Sequence, residues 1–155
     1  MVCLINNRSM ITTKSGSYFE SKVRLERISE DGMQVKFNEL YVVNSMSFTE
    51  TEAKLNEKVS QYSQGEFDVL TEVRAKYKEI FFSGSEQDDL FYKVKVDFVT
   101  LDERTEKQKH SKVDYLVQAS SIESAKRNVD EVLGGAMMDY KILAVSETAI
   151  QEVIE

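Results

Sequence analysis

The feature that most limits what this chain can fold into is that it repeats itself. YFESKV (Tyr18 to Val23) lies over FYKVKV (Phe91 to Val96), and YVVNSMSF (Tyr41 to Phe48) lies over YLVQASSI (Tyr115 to Ile122). FDVL (Phe67 to Leu70) then matches YKIL (Tyr140 to Leu143), and KEIF (Lys78 to Phe81) matches QEVI (Gln151 to Ile154). The four matches keep their order at an offset of 73 or 74 positions, the signature of an internal duplication. Two copies of one small supersecondary unit are expected, neither with much core of its own.

Each copy reads as strand, strand, helix, strand. Phe19, Ser21, Val23 and Leu25 alternate with polar neighbours, the period-2 mark of a half-buried strand. Ser29-Glu30-Asp31-Gly32 predicts a hairpin turn, and Val35, Phe37, Tyr41 and Val43 share one face of the return strand. Ser47-Phe-Thr-Glu is a capping box that opens a helix with an apolar stripe at Phe48, Leu55, Val59 and Tyr62, closed at Gly65. In the second copy Tyr92, Val94, Val96 and Phe98 face inward, a polar turn runs through Asp102 to Lys107, and Val113, Tyr115 and Val117 return. Its helix begins near Ser121, carries Ile122, Ala125, Val129 and Val132, and stops at Gly134-Gly135. A right-handed crossover sets the third strand beside the first, parallel to the second. The expectation is an α+β protein of two ββαβ units, with mostly antiparallel sheet and one helix per unit. Residues 1–17 match nothing in the second copy and read as a flexible arm. The first repeat spans 18–82, a polar linker 83–89, and the second repeat 90–155.

Chemistry is marked by what is missing. One histidine, His110, and one cysteine, Cys3, rule out a His-rich metal site and an internal disulfide. The six glycines are taken up by turns and caps, so no glycine-rich phosphate cradle exists. Asp88-Asp89 and Asp102-Glu103 sit in polar turns, where solvated charge is the simpler reading. No catalytic residue, cofactor or metal is expected, and binding is favoured over catalysis. The longest apolar runs are too short for a membrane span, and MVCLINNRSM has no secretory pattern, so the expected compartment is a reducing cytoplasm.

On the strand faces opposite the helices, the first copy shows Tyr18, Lys22 and Arg24 and the second shows Phe91, Lys93 and Lys95, with Lys22 and Lys95 at equivalent positions. Aromatics interleaved with basic residues on an open sheet are how single-stranded nucleic acid is held, by stacking and phosphate contacts. The net charge of −7 opposes non-specific attraction to phosphate. The same faces carry Leu40, Val42, Val99, Leu101 and Leu116, apolar residues that need a cover: the other lobe, another subunit or a ligand. Self-association is the simplest cover, so a homo-oligomer is expected.

The set YFESKVRLERISEDGMQ, YVVNSMSFTETEA, FYKVKVDFVTLDE, YLVQAS and AVSETAIQEVI resembles an uncharacterised domain family of Bacteroidetes and their tailed bacteriophages. The resemblance runs from Tyr18 to the C-terminus. It implies a phage or mobile-element accessory protein in the host cytoplasm and carries over no site residue. The functional expectation is a non-catalytic protein that binds a macromolecule or small ligand through paired sheet surfaces. Two alternatives are a single-stranded nucleic-acid-binding protein of phage replication or recombination, and a viral protein that sequesters a nucleotide signal. The partners expected are thus further copies of the chain, another protein, single-stranded nucleic acid or a nucleotide, and no membrane.

Overall fold

The computed structural model describes residues 11–61, 63, 66–135 and 138–155. In chain order the elements are β1 (Thr12–Lys14), β2 (Tyr18–Ile28), β3 (Gln34–Asn44), α1 (Phe48–Val59), β4 (Asp68–Arg74) and β5 (Tyr77–Phe82). There follow β6 (Leu90–Leu101), β7 (Gln108–Ala119), α2 (Ile122–Leu133), β8 (Asp139–Glu147) and β9 (Ile150–Ile154). The fold is α+β, with mostly antiparallel strands in two sheets, ordered β4-β2-β3-β9 and β1-β5-β7-β6-β8. Among the described residues no helix is long and apolar enough to cross a membrane.

Alternation in β2 does what its pattern predicts: Val23 and Leu25 are buried against the helix side while Lys22 and Arg24 stay exposed. The β2–β3 hairpin pairs from Tyr18↔Asn44 to Ile28↔Gln34, and Gly32 takes φ +76°, a conformation that costs a side chain strain. Ser47 caps α1 by accepting from the Glu50 N–H at 3.1 Å. The reciprocal arm of the capping box lands one residue early, on the Met46 N–H at 2.9 Å, because the Ser47 N–H is given to Ser45 Oγ. The Met46 bond, helped by Lys54, holds the Glu50 carboxyl below its ordinary range. Leu55 and Val59 are fully buried, whereas Phe48 and Ile122, at the first turn of each helix, are 54% exposed. Tyr62 and Gly65 lie outside the described residues.

The last matched segment of each copy corrects the expected domain boundaries. KEIF forms β5 and pairs parallel with β7 of the second repeat, while QEVI forms β9 and pairs parallel with β3 of the first. The chain therefore divides into a first unit, Gly16–Lys76 with Ala149–Glu155, and a second unit, Tyr77–Thr148 with the segment that ends at Ser15. Each unit takes its fourth strand from the other repeat. A ββαβ order leaves the outer edge of the second strand without partners, and the exchanged strand satisfies those backbone groups. The expected linker at 83–89 is part of the second unit: Ser83 N–H donates to Gln118 Oε1 at 3.1 Å, and Gln118 Nε2 donates to the Asp88 carbonyl at 2.7 Å. The described end of the expected arm is ordered as well. Thr12–Lys14 pair antiparallel with Ile80–Phe82, and Ile11 packs against the second core. Residues 1–10, including Cys3, lie outside the described residues.

Duplication reaches single irregularities of the backbone. The register of the third strand slips between Lys22 and Val23 in the first unit and between Lys95 and Val96 in the second. The parallel fourth strand slips between Leu40 and Tyr41 on β3 as Ile150 gives way to Glu152, and Tyr77 gives way to Glu79 in the same step on β7. The irregularities thus fall at matched positions of the two copies, as expected of a duplicated unit.

Candidate ligand-binding sheet face

In the second unit Tyr92, Val94, Val96 and Phe98 of β6 enter the core with Tyr115 and Val117 of β7. Period 2 then sends Lys93, Lys95, Asp97 and Val99 to the opposite face of β6. On β7, Asp114 stands across from Lys95, Lys112 from Asp97 and His110 from Val99. On β8, Lys141 stands across from Asp97 on its other side. Asp97 is 7% exposed, and its Oδ2 lies 2.8 Å from His110 Nδ1. Asp97 Oδ1 and Asp114 Oδ1 are buried without a hydrogen-bond donor among the described residues. Lys93 Nζ reaches Asp114 Oδ2 at 3.8 Å, while Lys95, Lys112 and Lys141 are exposed and in no ion pair among the described residues. The face thus offers cations at its surface around two carboxylates, each with one oxygen sealed from solvent.

The structure separates the six ligand-binding candidates by chemistry. Lys22, Arg24, Lys93 and Lys95 are exposed, but Tyr18 is 4% and Phe91 6% exposed, so neither ring can stack on a base. Burial, then the charge of Glu155, raises the Tyr18 hydroxyl pKa. Arg24 faces Asp68 and Asn38 across its strand, and Lys22 faces Leu40 and Thr71. Of the interface candidates, Val42 and Leu116 are fully buried within the chain and are not free surface for a second copy. Leu40 and Val99 are half-buried, and Leu101, at the hairpin end, is 66% exposed. The sequence reading missed Asp97, Asp114, Lys112 and Lys141. Counting back across the Asp102–Lys107 turn would have set His110 opposite Val99, one diagonal from Asp97.

The first unit carries a cleft of about 520 Å³ between α1 and β9, lined by Lys54, Glu57, Lys58, Gln61 and residues 152–155. Lys58 Nζ spans it to Glu152 at 3.3 Å. On the core side of the same sheet, Ser21 and Glu72 stand opposite each other, and burial, then Glu52, raises the Glu72 pKa. Among the described residues no three His, Cys, Asp or Glu side chains converge to hold a metal ion.

A family model described as a domain of unknown function, DUF4494, matches residues 17–155. The chain belongs to the DUF4494 family. The match takes in both exchanged strands, β5 and β9, and leaves out β1, so the reciprocal arrangement lies within the DUF4494 domain. No curated protein and no solved structure matches the chain.

Proposed function

We propose that this DUF4494 protein acts by binding rather than catalysis, and that the β6–β7–β8 face receives a phosphate-bearing ligand. The observation that supports this most is the placing of Lys95, Lys112 and Lys141 around the buried Asp97, which pairs with the exposed His110. Lysines attract phosphate as point charges. A nucleotide or single-stranded nucleic acid brings phosphate to such a face. Binding of a strand would then rest on phosphate and base-edge contacts, since Tyr18 and Phe91 are buried. The sequence resemblance to a family of Bacteroidetes and their phages supports a role as a cytoplasmic accessory protein of a phage or mobile element.

The test is fluorescence anisotropy with a labelled single-stranded oligonucleotide and, in competition, unlabelled nucleotides, across a salt series. Binding should weaken steeply with salt. Lys95→Glu with Lys112→Glu should weaken it about tenfold or more, because each neutralised phosphate contact is lost and replaced by repulsion. Equal binding by wild type and the double variant sinks the reading, as does no binding of either probe at low salt. Competition by a mononucleotide as strong as by the strand itself selects a small ligand.

A further inference from the structure

The duplication supplies a template for a second site, on the first unit. In the second unit the outer edge of β5 is covered by β1, through pairs running from Thr12↔Phe82 to Lys14↔Ile80. Its Ile11 packs toward the helix-side core, and Lys14 Nζ lies 5.6 Å from the Phe82 ring centroid. The matched strand of the first unit is β9, and among the described residues no strand pairs with its outer edge. Residues 80–82 correspond to 153–155. The cleft between α1 and β9 runs beside those residues, where the counterpart of β1 would lie.

We propose that the outer edge of β9 is a docking site for an extended peptide of a partner protein, laid antiparallel along residues 153–155. This is strand addition: main-chain hydrogen bonds supply affinity, and alternate side chains supply specificity. The side chains differ from the template in a way that selects the occupant. Where β1 sets Lys14 beside Phe82, the first unit has Glu155, whose Oε2 accepts from Asn44 Nδ2 at 3.1 Å. A basic residue on the incoming strand therefore gains a carboxylate partner in place of a ring. On the helix side, the position of Val132 is taken by Lys58, ion-paired to Glu152. The occupant is a basic, extended segment.

The probe is a synthetic peptide of residues 8–17 (RSMITTKSGS), titrated into the ¹⁵N-labelled full chain. Amide shifts and slowed hydrogen exchange should be confined to β9 and to α1 from Lys54 to Gln61. The peptide with Lys14→Glu should bind roughly three- to tenfold more weakly, the expected effect of reversing one cross-strand charge. Glu155→Lys protein should lose affinity for the natural peptide and regain it for the Lys14→Glu peptide. That rescue is something a merely misfolded variant would not give. No shifts at millimolar peptide overturn the proposal. Shifts at the β5 edge instead of β9 overturn it too, by showing exchange with β1. Protection of β9 that depends on protein concentration without peptide assigns the edge to a second copy and also overturns it.

Discussion

In the second unit Phe81 reaches the core beneath α2, and β1 seals the edge outside it. In the first unit the same strand position holds Ile154, and the edge outside it borders the α1 cleft. The backbone plan is otherwise shared: Ser47 and Ser121 cap the two helices, the same strands slip register at the same step, and both fourth strands run parallel. The open faces diverge as well, with Asp97 paired to His110 where the first unit has Arg24 facing Asp68. What the backbone needs to close a sheet has been kept in both copies, while edge and face residues have been free to specialise. Binding chemistry should therefore be unequal between the units even though their folds match.

The strongest way to break this comparison is to truncate the exchanged strands. Phe81→Ala removes a fully buried ring that lies 4.8 Å from Tyr115, and should cost about 3–5 kcal/mol. Hydrogen exchange read by mass spectrometry should then show β6 and β7 losing protection while β2 and β3 keep theirs. Phe81 belongs to the first repeat in sequence, so loss of protection in β2 and β3 instead would refute the strand exchange. Ile154→Ala, with its side chain in the first core, is the mirror experiment and should cost about 2–4 kcal/mol.

A smaller effect separates the two cores by pH. Burial, then the charge of Glu79, raises the Tyr115 pKa to about 12. The folded state thus keeps the phenol neutral where the unfolded chain ionises it at its ordinary value near 10. The sign follows from linkage: the stabilisation is complete below pH 10 and is lost as pH rises from 10 through about 12. Tyr115→Phe should flatten that part of the stability curve, measured as melting temperature against pH. Tyr18, Tyr92 and Tyr140 are also raised, so the difference between the variant and wild type is the quantity to read. Parallel curves for the two proteins would remove Tyr115 from the alkaline transition.

Much of this was legible in the sequence, for physical reasons that also mark where legibility ends. Half-buried strands announce themselves by alternation, and a duplicated pattern announces itself twice, so β2, β3, β6, β7 and both helices could be read directly. The exchange of β5 and β9 could not. A swapped strand carries the same side-chain pattern as an unswapped one, and only the choice of partner differs. Thr12–Lys14 is short and fully exposed, which gives no periodicity to find. The exposure of Lys22, Arg24, Lys93 and Lys95 followed from strand parity, but the burial of Tyr18, Phe91, Val42 and Leu116 depends on what covers the open faces, which parity leaves undetermined. The Asp97–His110 pair depends on hairpin register across a polar turn in which Glu106 takes φ +56°, a conformation that no glycine signals there.

The subtlest difference between the units lies at Lys58 and its counterpart Val132, and reciprocal exchange of the two measures it. Lys58→Val breaks the ion pair with Glu152, whose partners are both more than a third exposed. Exposed pairs contribute about 0–1 kcal/mol, and valine is a slightly poorer helix former than lysine, so a loss of about 0.5 kcal/mol is expected. Val132→Lys should cost more, about 1–2 kcal/mol, because Val132 packs against the same core as Ile11 and loses part of that burial. Urea denaturation of both single variants gives the two numbers. Unequal costs in this order mean that β1 has turned an open slot into sealed core in one unit while the other stays wet. Equal costs would mean that the slot is the same in both units, and that the edge of β9 has no special readiness for a strand.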